Sequence, residues 1–156
     1  MDFGKVASVT KALEESWQML AGTALHIVPS EQSATELPQA QYFAIPIHTN
    51  DGVERCLVLQ ISTSLLTTLT SAMFGEPDDS LSDEQCQDAG KELANILSSC
   101  CIQHISELAN GEVGLPRLVS QHEMLNIEHS GSLAAHFLAD SANDVLSLSI
   151  IEPSHP

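Results

Sequence analysis

Positively charged side chains are scarce in this sequence. Five lysines and arginines stand against 21 aspartates and glutamates in 156 residues, which gives a formal net charge of −16 with histidine neutral. A nucleic-acid surface needs a stripe of cations to neutralise phosphates, and an anionic membrane needs the same, so both are excluded as partners. Even a phosphorylated small molecule would be repelled unless a partner or a metal ion supplied positive charge. The composition favours a basic protein partner, or one that carries its own cation.

Long apolar runs are also missing. No stretch approaches the 18 or more apolar residues of a membrane span, and the first five residues lack the basic-then-apolar pattern of a secretory signal. The sequence therefore predicts a cytoplasmic protein. With 43% apolar residues and this length, we expect one globular domain over residues 1–156 that folds without disulfides or metal.

The few cysteines and histidines do not form a metal-binding pattern. The four cysteines are Cys56, Cys86, Cys100 and Cys101, and the adjacency of the last two suits neither a disulfide framework nor a CxxC site. We expect reduced, mostly buried thiols. His104 lies on the apolar side of a predicted helix and is interpreted as a structural histidine. The sequence predicts no metal site and no cofactor bound by this chain alone.

The first half of the chain is predicted to form one helix and then three strands. Apolar residues recur every three or four positions until Gly22, which is typical of an amphipathic helix. A turn at Asn50-Asp51-Gly52 predicts a hairpin, and Pro46 places the first hairpin strand at an edge or a bulge because proline removes a ladder donor. The predicted strands are residues 24–28, 42–49 and 54–61, with a polar connector at 30–39.

The second half repeats this order. A short helix at residues 64–74 ends at Gly75, and an acidic linker leads to a long helix whose start is marked by Ser82 and Gln85, the spacing of a capping box. The acidic residues around this start either steer a basic partner or are a solvated cap, and the sequence does not decide between them. The predicted elements are the long helix at 83–109, a break at Asn110-Gly111, and strands near 118–124, 132–138 and 145–151.

Two such α-β-β-β units predict the fold class. Strands joined by hairpins favour an antiparallel sheet, and the helices must bury their apolar faces against it. We therefore expect an α+β, two-layer fold, an antiparallel sheet packed by helices, built from two pseudo-duplicated units.

The long helix carries a polar stripe. At about 100° per residue, Asp88, Glu92, Asn95 and Ser99 fall within roughly 60° of one another, opposite the apolar side of the helix. A carboxamide can donate to and accept from one water, which suits it to orienting an attacking water, and a carboxylate can pair with a cation. Glu-x-x-Asn alone is a weak signal, because a solvated helix face would look the same.

The wider context strengthens this signal. Residues 88–96, Asp-Ala-Gly-Lys-Glu-Leu-Ala-Asn-Ile, with Pro116 downstream, resemble the signature of the CheC/CheX/FliY family of chemotaxis phosphatases, most of all its CheX branch. The resemblance extends over most of the chain. It implies hydrolysis of the aspartyl phosphate of a CheY-like response regulator, with Mg²⁺ bound by the regulator, and a homodimeric protein.

The resemblance also assigns roles to individual residues. It implies that Asn95 positions the water and Glu92 contacts the active-site lysine of the regulator. Supporting roles fall to Asp88 and Ser99, and the implied partner contacts are Lys91, Ile96 and Pro116. Three residues after Glu14 and Glu15 stand Trp17 and Gln18, so the chain has one active helix, as in the CheX branch.

One departure from the family pattern leaves an alternative open. Ser98-Ser99-Cys100 follows the motif where a small, glycine-containing run is expected. If Ser99 holds the helix away from its neighbour, docking is impaired. The alternative is a non-catalytic module that binds a receiver domain or a flagellar-switch-like partner without hydrolysis.

Overall fold

The computed structural model describes residues 3–30, 39–141 and 144–154. Within them the chain forms four α-helices and seven strands, with short 3₁₀ turns at Asp78–Ser80 and Ser106–Leu108. The helices are α1 (Phe3–Ala21), α2 (Thr63–Phe74), α3 (Asp83–His104) and α4 (Gln121–His129). The strands are β1 (Val28–Pro29), β2 (Ala40–His48), β3 (Glu54–Ser62), β4 (Glu112–Val113), β5 (Arg117–Val119), β6 (Gly131–Ser141) and β7 (Asp144–Pro153).

All the strands belong to one antiparallel sheet. Their order is β1-β6-β7-β3-β2, and β4 and β5 both pair with the outer side of β2. The hairpins β2–β3 and β6–β7 meet at the centre, where β3 pairs with β7. Each hairpin is flanked by a short strand from the other half of the chain, because β1 pairs with β6 and β5 pairs with β2. This topology confirms the predicted α+β class and shows the two halves of the repeat in equivalent positions.

The main core lies between one face of the sheet and the helices α1, α2 and α3. Its largest fully buried side chains are Trp17, Phe43 and Phe137. On the opposite face, α4 covers a smaller cluster in which Met124 packs with Tyr42 and Val58. In the described residues, no helix is both long and apolar enough to cross a lipid bilayer.

The predicted signals for most element ends are confirmed. Gly22 and Gly75 follow α1 and α2 with positive φ angles of 74° and 66°. At the start of α3, the Gln85 N–H donates to Ser82 Oγ at 3.1 Å, and the Ser82 N–H donates to Gln85 Oε1 at 2.9 Å. The capping box therefore fixes where the long helix begins.

Two predicted elements have the wrong bounds. The strand predicted at 24–28 is reduced to Val28–Pro29, and most of the connector predicted at 30–39 lies outside the described residues. The long helix ends at His104 and not at 109, because Ile105 takes up an extended backbone and a 3₁₀ turn then buries Leu108. That turn leads into β4, a strand that was not predicted from the sequence.

The strand predicted near 118–124 is confirmed only at its start, where Leu118 and Val119 belong to β5, and is wrong from Gln121 onward. After Val119 the chain turns into α4, whose start is capped by Ser120: its Oγ accepts a hydrogen bond from the Glu123 N–H at 3.1 Å. Serine followed three residues later by glutamate is a helix-start signal, so the information was present in the sequence. The helix forms because it buries Met124 against the outer face of the sheet.

Pro46 explains why the edge strand is split. The proline predicted an edge strand or a bulge. Strand β2 is next to the edge and pairs with β3 without a register shift, but its outer neighbour is divided: β5 pairs with residues 42–44 and β4 with 47–48. Pro46 lies at this gap. There the Gly114 N–H donates to the Pro46 carbonyl at 2.8 Å, and a Cβ at Gly114 would approach Pro46 Cγ to 2.4 Å. The loop between β4 and β5 is therefore pressed onto β2.

Helix α3 approaches the sheet closely at Gly90. A Cβ built on Gly90 would lie 2.1 Å from Cζ of Phe43, which is fully buried on β2. No side chain fits between this turn of the helix and the aromatic ring. The contact sets the height of α3 above β2.

We expect Gly90→Ala to destabilise the protein although alanine favours helix. Overpacking costs about 1–3 kcal/mol, against a gain in helix propensity of about 1 kcal/mol, so the free energy of unfolding should fall by up to about 2 kcal/mol in a urea titration. Combining it with Phe43→Leu, which frees space, should cost less than the two single changes together. Additive effects of the two substitutions would contradict this interpretation of the contact.

Ser98 is the buried member of the serine pair. Its side chain is fully buried, and among the described residues no hydrogen-bond partner lies within reach of its Oγ. Ser99 is half-buried, and its hydroxyl donates to the Asn95 carbonyl at 3.0 Å. The residue that points into the protein is therefore Ser98 and not Ser99.

Ser98→Ala should stabilise the fold. Burying a hydroxyl without a partner costs about 1–3 kcal/mol, so its removal should raise the free energy of unfolding by about 1 kcal/mol. The neighbouring change Ser99→Ala is the control and should stay within about 0.5 kcal/mol of the wild type. A loss of stability in Ser98→Ala would show that the hydroxyl is satisfied in solution.

Candidate active site

The polar stripe predicted on α3 is present on its outer face. Asp88, Glu92 and Asn95 are exposed, and Ser99 is half-buried beside them. The opposite face of the helix is buried and consists of Ala89, Gly90, Leu93, Ala94, Leu97, Ser98, Cys100 and Cys101. Packing of this apolar face against the sheet leaves the four stripe residues directed away from the core. The structure thus brings together the four residues that the sequence singled out on this face.

The geometry of the stripe suits contact with a surface. Residues three apart on a helix lie about 5–6 Å apart at Cβ, so one partner group can meet both Glu92 and Asn95. Two clefts of about 200 and 320 Å³ lie elsewhere, the first lined by Arg55 and Glu152 and the second by Ser8 and His104. Neither cleft includes a stripe residue. The stripe is a convex helix face, which fits a macromolecular partner better than a small molecule.

The bond from Ser99 holds its side chain along the helix. The Ser99 hydroxyl donates to the Asn95 carbonyl one turn earlier, so the side chain lies on the stripe side of α3. Stripe residues Asn95 and Ser99 are connected through the backbone of one helical turn.

Two half-buried residues flank the stripe. Lys91 and Ile96 lie on opposite sides of it, each about 70° from its centre at roughly 100° per residue. Lys91 gives one flank a positive charge, and Ile96 gives the other an apolar edge. Pro116, the remaining predicted contact residue, is half-buried and lies off the helix, where the loop from β4 enters β5.

Helix α1 identifies which flank faces which neighbour. On α3, Cys100 Sγ lies 3.9 Å from Ser16 Oγ of α1, and His104 Nδ1 lies 3.0 Å from Ser8 Oγ. Cys100 and His104 therefore mark the α1 side of the helix. Strands β4 and β5 pair with the outer side of β2, away from β1, which α1 contacts. Both contact α3, so they border the side of the helix that carries Ser98. Asn95 is the stripe residue nearest this second side.

The first helix does not offer an equivalent pair. Glu14 is half-buried and accepts hydrogen bonds from the Ile27 N–H and from His26 Nδ1, each at 3.3 Å. These two hydrogen bonds hold the segment before β1 against α1. Glu14 is thus used within the fold, and the exposed carboxylate–carboxamide pair is on α3.

The other candidate residues have structural surroundings. The four cysteines are free, and Cys100 and Cys101 are buried. Burial raises the pKa of the Cys101 thiol and also that of Cys56, which keeps both in the unreactive protonated form near neutral pH. Over residues 3–30, 39–141 and 144–154, no group of three or more histidine, cysteine, aspartate or glutamate side chains is arranged to hold a metal ion.

Sequence reasoning missed the apolar surroundings of the stripe. Leu115, in the loop between β4 and β5, is 86% exposed, and Leu118 on β5 is 36% exposed. The signal in the sequence is a leucine between Gly114 and Pro116, in a loop too short for its side chain to reach a core. From the sequence, only Pro116 is predicted to contact a partner in this loop.

Solved structures share this fold across nearly the whole chain. A CheC-like superfamily protein from Shewanella sp. PV-4 is 13% identical, with 99% of this chain and 100% of that chain covered and a TM-score of 0.71. The CheX–CheY–BeF₃–Mg²⁺ complex from Borrelia burgdorferi contains a chain that is 10% identical, with 96% and 98% covered and a TM-score of 0.71. A chain of the FliM–SpeE complex from H. pylori is 9% identical, with 98% and 90% covered and a TM-score of 0.60.

No curated protein matches the chain significantly. The family model described as chemotaxis phosphatase CheX matches residues 43–139, from the middle of β2 almost to the end of β6. The matched region is more than half of the chain and contains all of α3 with its polar stripe. The protein therefore belongs to the CheX family.

Proposed function

We propose that this protein hydrolyses the aspartyl phosphate of a CheY-like response regulator, with the outer face of α3 docked against the phosphorylated site. The observation that carries the proposal is the exposed pair Glu92 and Asn95 on a capped helix of a CheX-family chain. Neither side chain packs in the core. A pair that is exposed in the unbound protein is available to a partner.

The two side chains divide the work. The Asn95 carboxamide both donates and accepts, so it can hold a water in line with the phosphorus–oxygen bond to be broken. Glu92 pairs with the cationic lysine of the regulator and fixes the register of the complex. Asp88 and Ser99 support this face, and Lys91, Ile96 and Pro116 contact the partner.

The charge of the protein supports a partner that brings its own cation. With a net charge of −16 and two carboxylates on the stripe, the surface does not favour phosphate by itself. In the proposed complex the regulator supplies both the acyl phosphate and the bound Mg²⁺. The complex of a structurally similar CheX with CheY contains BeF₃ and Mg²⁺, which is consistent with this division. We further propose that the chain acts as a single cytoplasmic domain and as a homodimer.

A second candidate is docking without hydrolysis. It is favoured by the similarity of the fold to a chain of the FliM–SpeE complex. In that case α3 would bind a receiver or a flagellar-switch-like partner, and Asn95 would have no chemical task. The two candidates differ in turnover and not in binding.

Asn95→Ala should abolish turnover but not binding. Because orienting the water is a task of the transition state, we expect kcat to fall about 100-fold or more while the affinity for the phosphorylated receiver changes little. The measurement is the release of phosphate from a CheY-like receiver of the same genome, at catalytic ratios and saturating Mg²⁺. Asn126→Ala is the matched control, since Asn126 is an exposed asparagine on α4, on the other face of the sheet.

Wild-type protein that binds the receiver but does not accelerate its dephosphorylation would support the docking module instead. An unchanged rate in Asn95→Ala, with an active wild type, would show that the water is positioned by another group.

Glu92→Gln should weaken the complex. Removing the charge while keeping the shape of the side chain should raise Kd about tenfold, a change of about 1.4 kcal/mol, and should make binding less sensitive to salt. Titrations at low and high ionic strength measure both effects. An affinity and a salt dependence equal to those of the wild type would exclude Glu92 from the ion pair.

A further inference from the structure

We propose that Leu115 and Leu118 form the apolar part of the docking surface for the receiver domain, beside the polar stripe of α3. This inference rests on the proposed function and names the residues that give the complex its affinity. It starts from two exposed leucines that no packing requirement within the described chain explains.

The backbone holds Leu115 in its exposed position. The loop is anchored at both ends by the pairing of β4 and β5 with β2, and at its middle by the hydrogen bond from the Gly114 N–H to the Pro46 carbonyl. Pro116 restricts φ directly after Leu115. An 86% exposed leucine on such a fixed loop presents a preorganised apolar contact, and ordering it in a complex costs little entropy.

Leu118 connects this loop to α3. It pairs directly with Phe43 across the β2–β5 ladder, and directly opposed residues of antiparallel strands project to the same face. Phe43 lies beneath Gly90 of α3. Leu118 is therefore on the α3 side of the sheet, next to the turn of the helix that precedes Glu92.

The two leucines flank the Asn95 side of the stripe. Cys100 and His104 turn one side of α3 toward α1, which also contacts β1 at the far edge of the sheet. Strand β5 pairs with the outer side of β2 and contacts α3, so it borders the other side of the helix, which is the side nearest to Asn95. Leu118 thus borders the stripe, and Leu115, three residues before it, lies within about 11 Å of it along the chain. A partner centred on Asn95 covers both at once.

The receiver domain is the occupant that this continuity favours. Exposed ion pairs add little to affinity, so the carboxylates of the stripe alone would give a weak complex. Burying one leucine side chain raises affinity by the equivalent of about 10-fold or more. A surface that combines an apolar anchor with a few directed polar groups has the composition of a specific interface.

The test compares three variants of the full-length protein. Leu115→Ser should raise Kd for a receiver that carries BeF₃ and Mg²⁺ about tenfold, and should raise the half-saturating receiver concentration equally, with kcat unchanged. Leu115→Met keeps an apolar side chain of similar volume and should stay within about twofold of the wild type. Val28→Ser is the matched control, because Val28 is a 41% exposed apolar residue on β1, at the opposite edge of the sheet.

Each outcome separates this inference from the proposed function. An active wild type with an unchanged Kd in Leu115→Ser overturns the inference and leaves the function standing. A change in kcat without a change in Kd also overturns it, since the leucine would then act on the chemistry. Loss of self-association in Leu115→Ser, seen by analytical ultracentrifugation with receiver affinity intact, would assign the patch to a second copy of the chain. A wild type that neither binds nor dephosphorylates the receiver overturns both proposals.

Discussion

The contact between Gly90 and the Phe43 ring is the constraint on which the rest of the site depends. It brings α3 so close to β2 that even one added carbon would collide with the ring. Glu92 and Asn95 follow Gly90 on the same helix, and Leu118 is paired with Phe43 on the neighbouring strand. This one buried contact therefore fixes the position of the polar stripe and that of Leu118 beside it. Because the core is close-packed, a shift of α3 at this contact would also move the residues that pack around it.

The electrostatics of the site follow from what the chain does not contain. A protein with five basic residues has little with which to bind a phosphate, and its stripe adds further carboxylates. Such a surface contributes placement, because a capped helix packed on the sheet fixes the backbone positions from which its side chains extend. The charge that stabilises phosphoryl transfer must come from the other molecule. On the proposed function, the active centre is completed only in the complex, and hydrolysis is confined to a partner that carries both phosphate and cation.

The sequence predicts the elements whose signals are local. Ser82 and Gln85 mark the start of α3, and the spacing of its polar residues predicts the stripe, because both depend on one helix alone. It fails at residues 121–124, where a short apolar run fits either period and the Ser120–Glu123 cap starts a helix. It also cannot show that Leu118 lies beside α3. That requires knowing that β5 pairs with β2, a contact between segments far apart in the chain.

Placing the stripe and the leucines on different elements allows docking and hydrolysis to vary separately. Asn95 is exposed and contributes nothing to the core, so its replacement would leave the fold intact. The loop between β4 and β5 is held by Gly114 and Pro46, so Leu115 can change without moving the strands. In this chain the retained Glu92 and Asn95 are the feature that favours hydrolysis, since docking alone has no need of a carboxamide placed to orient water.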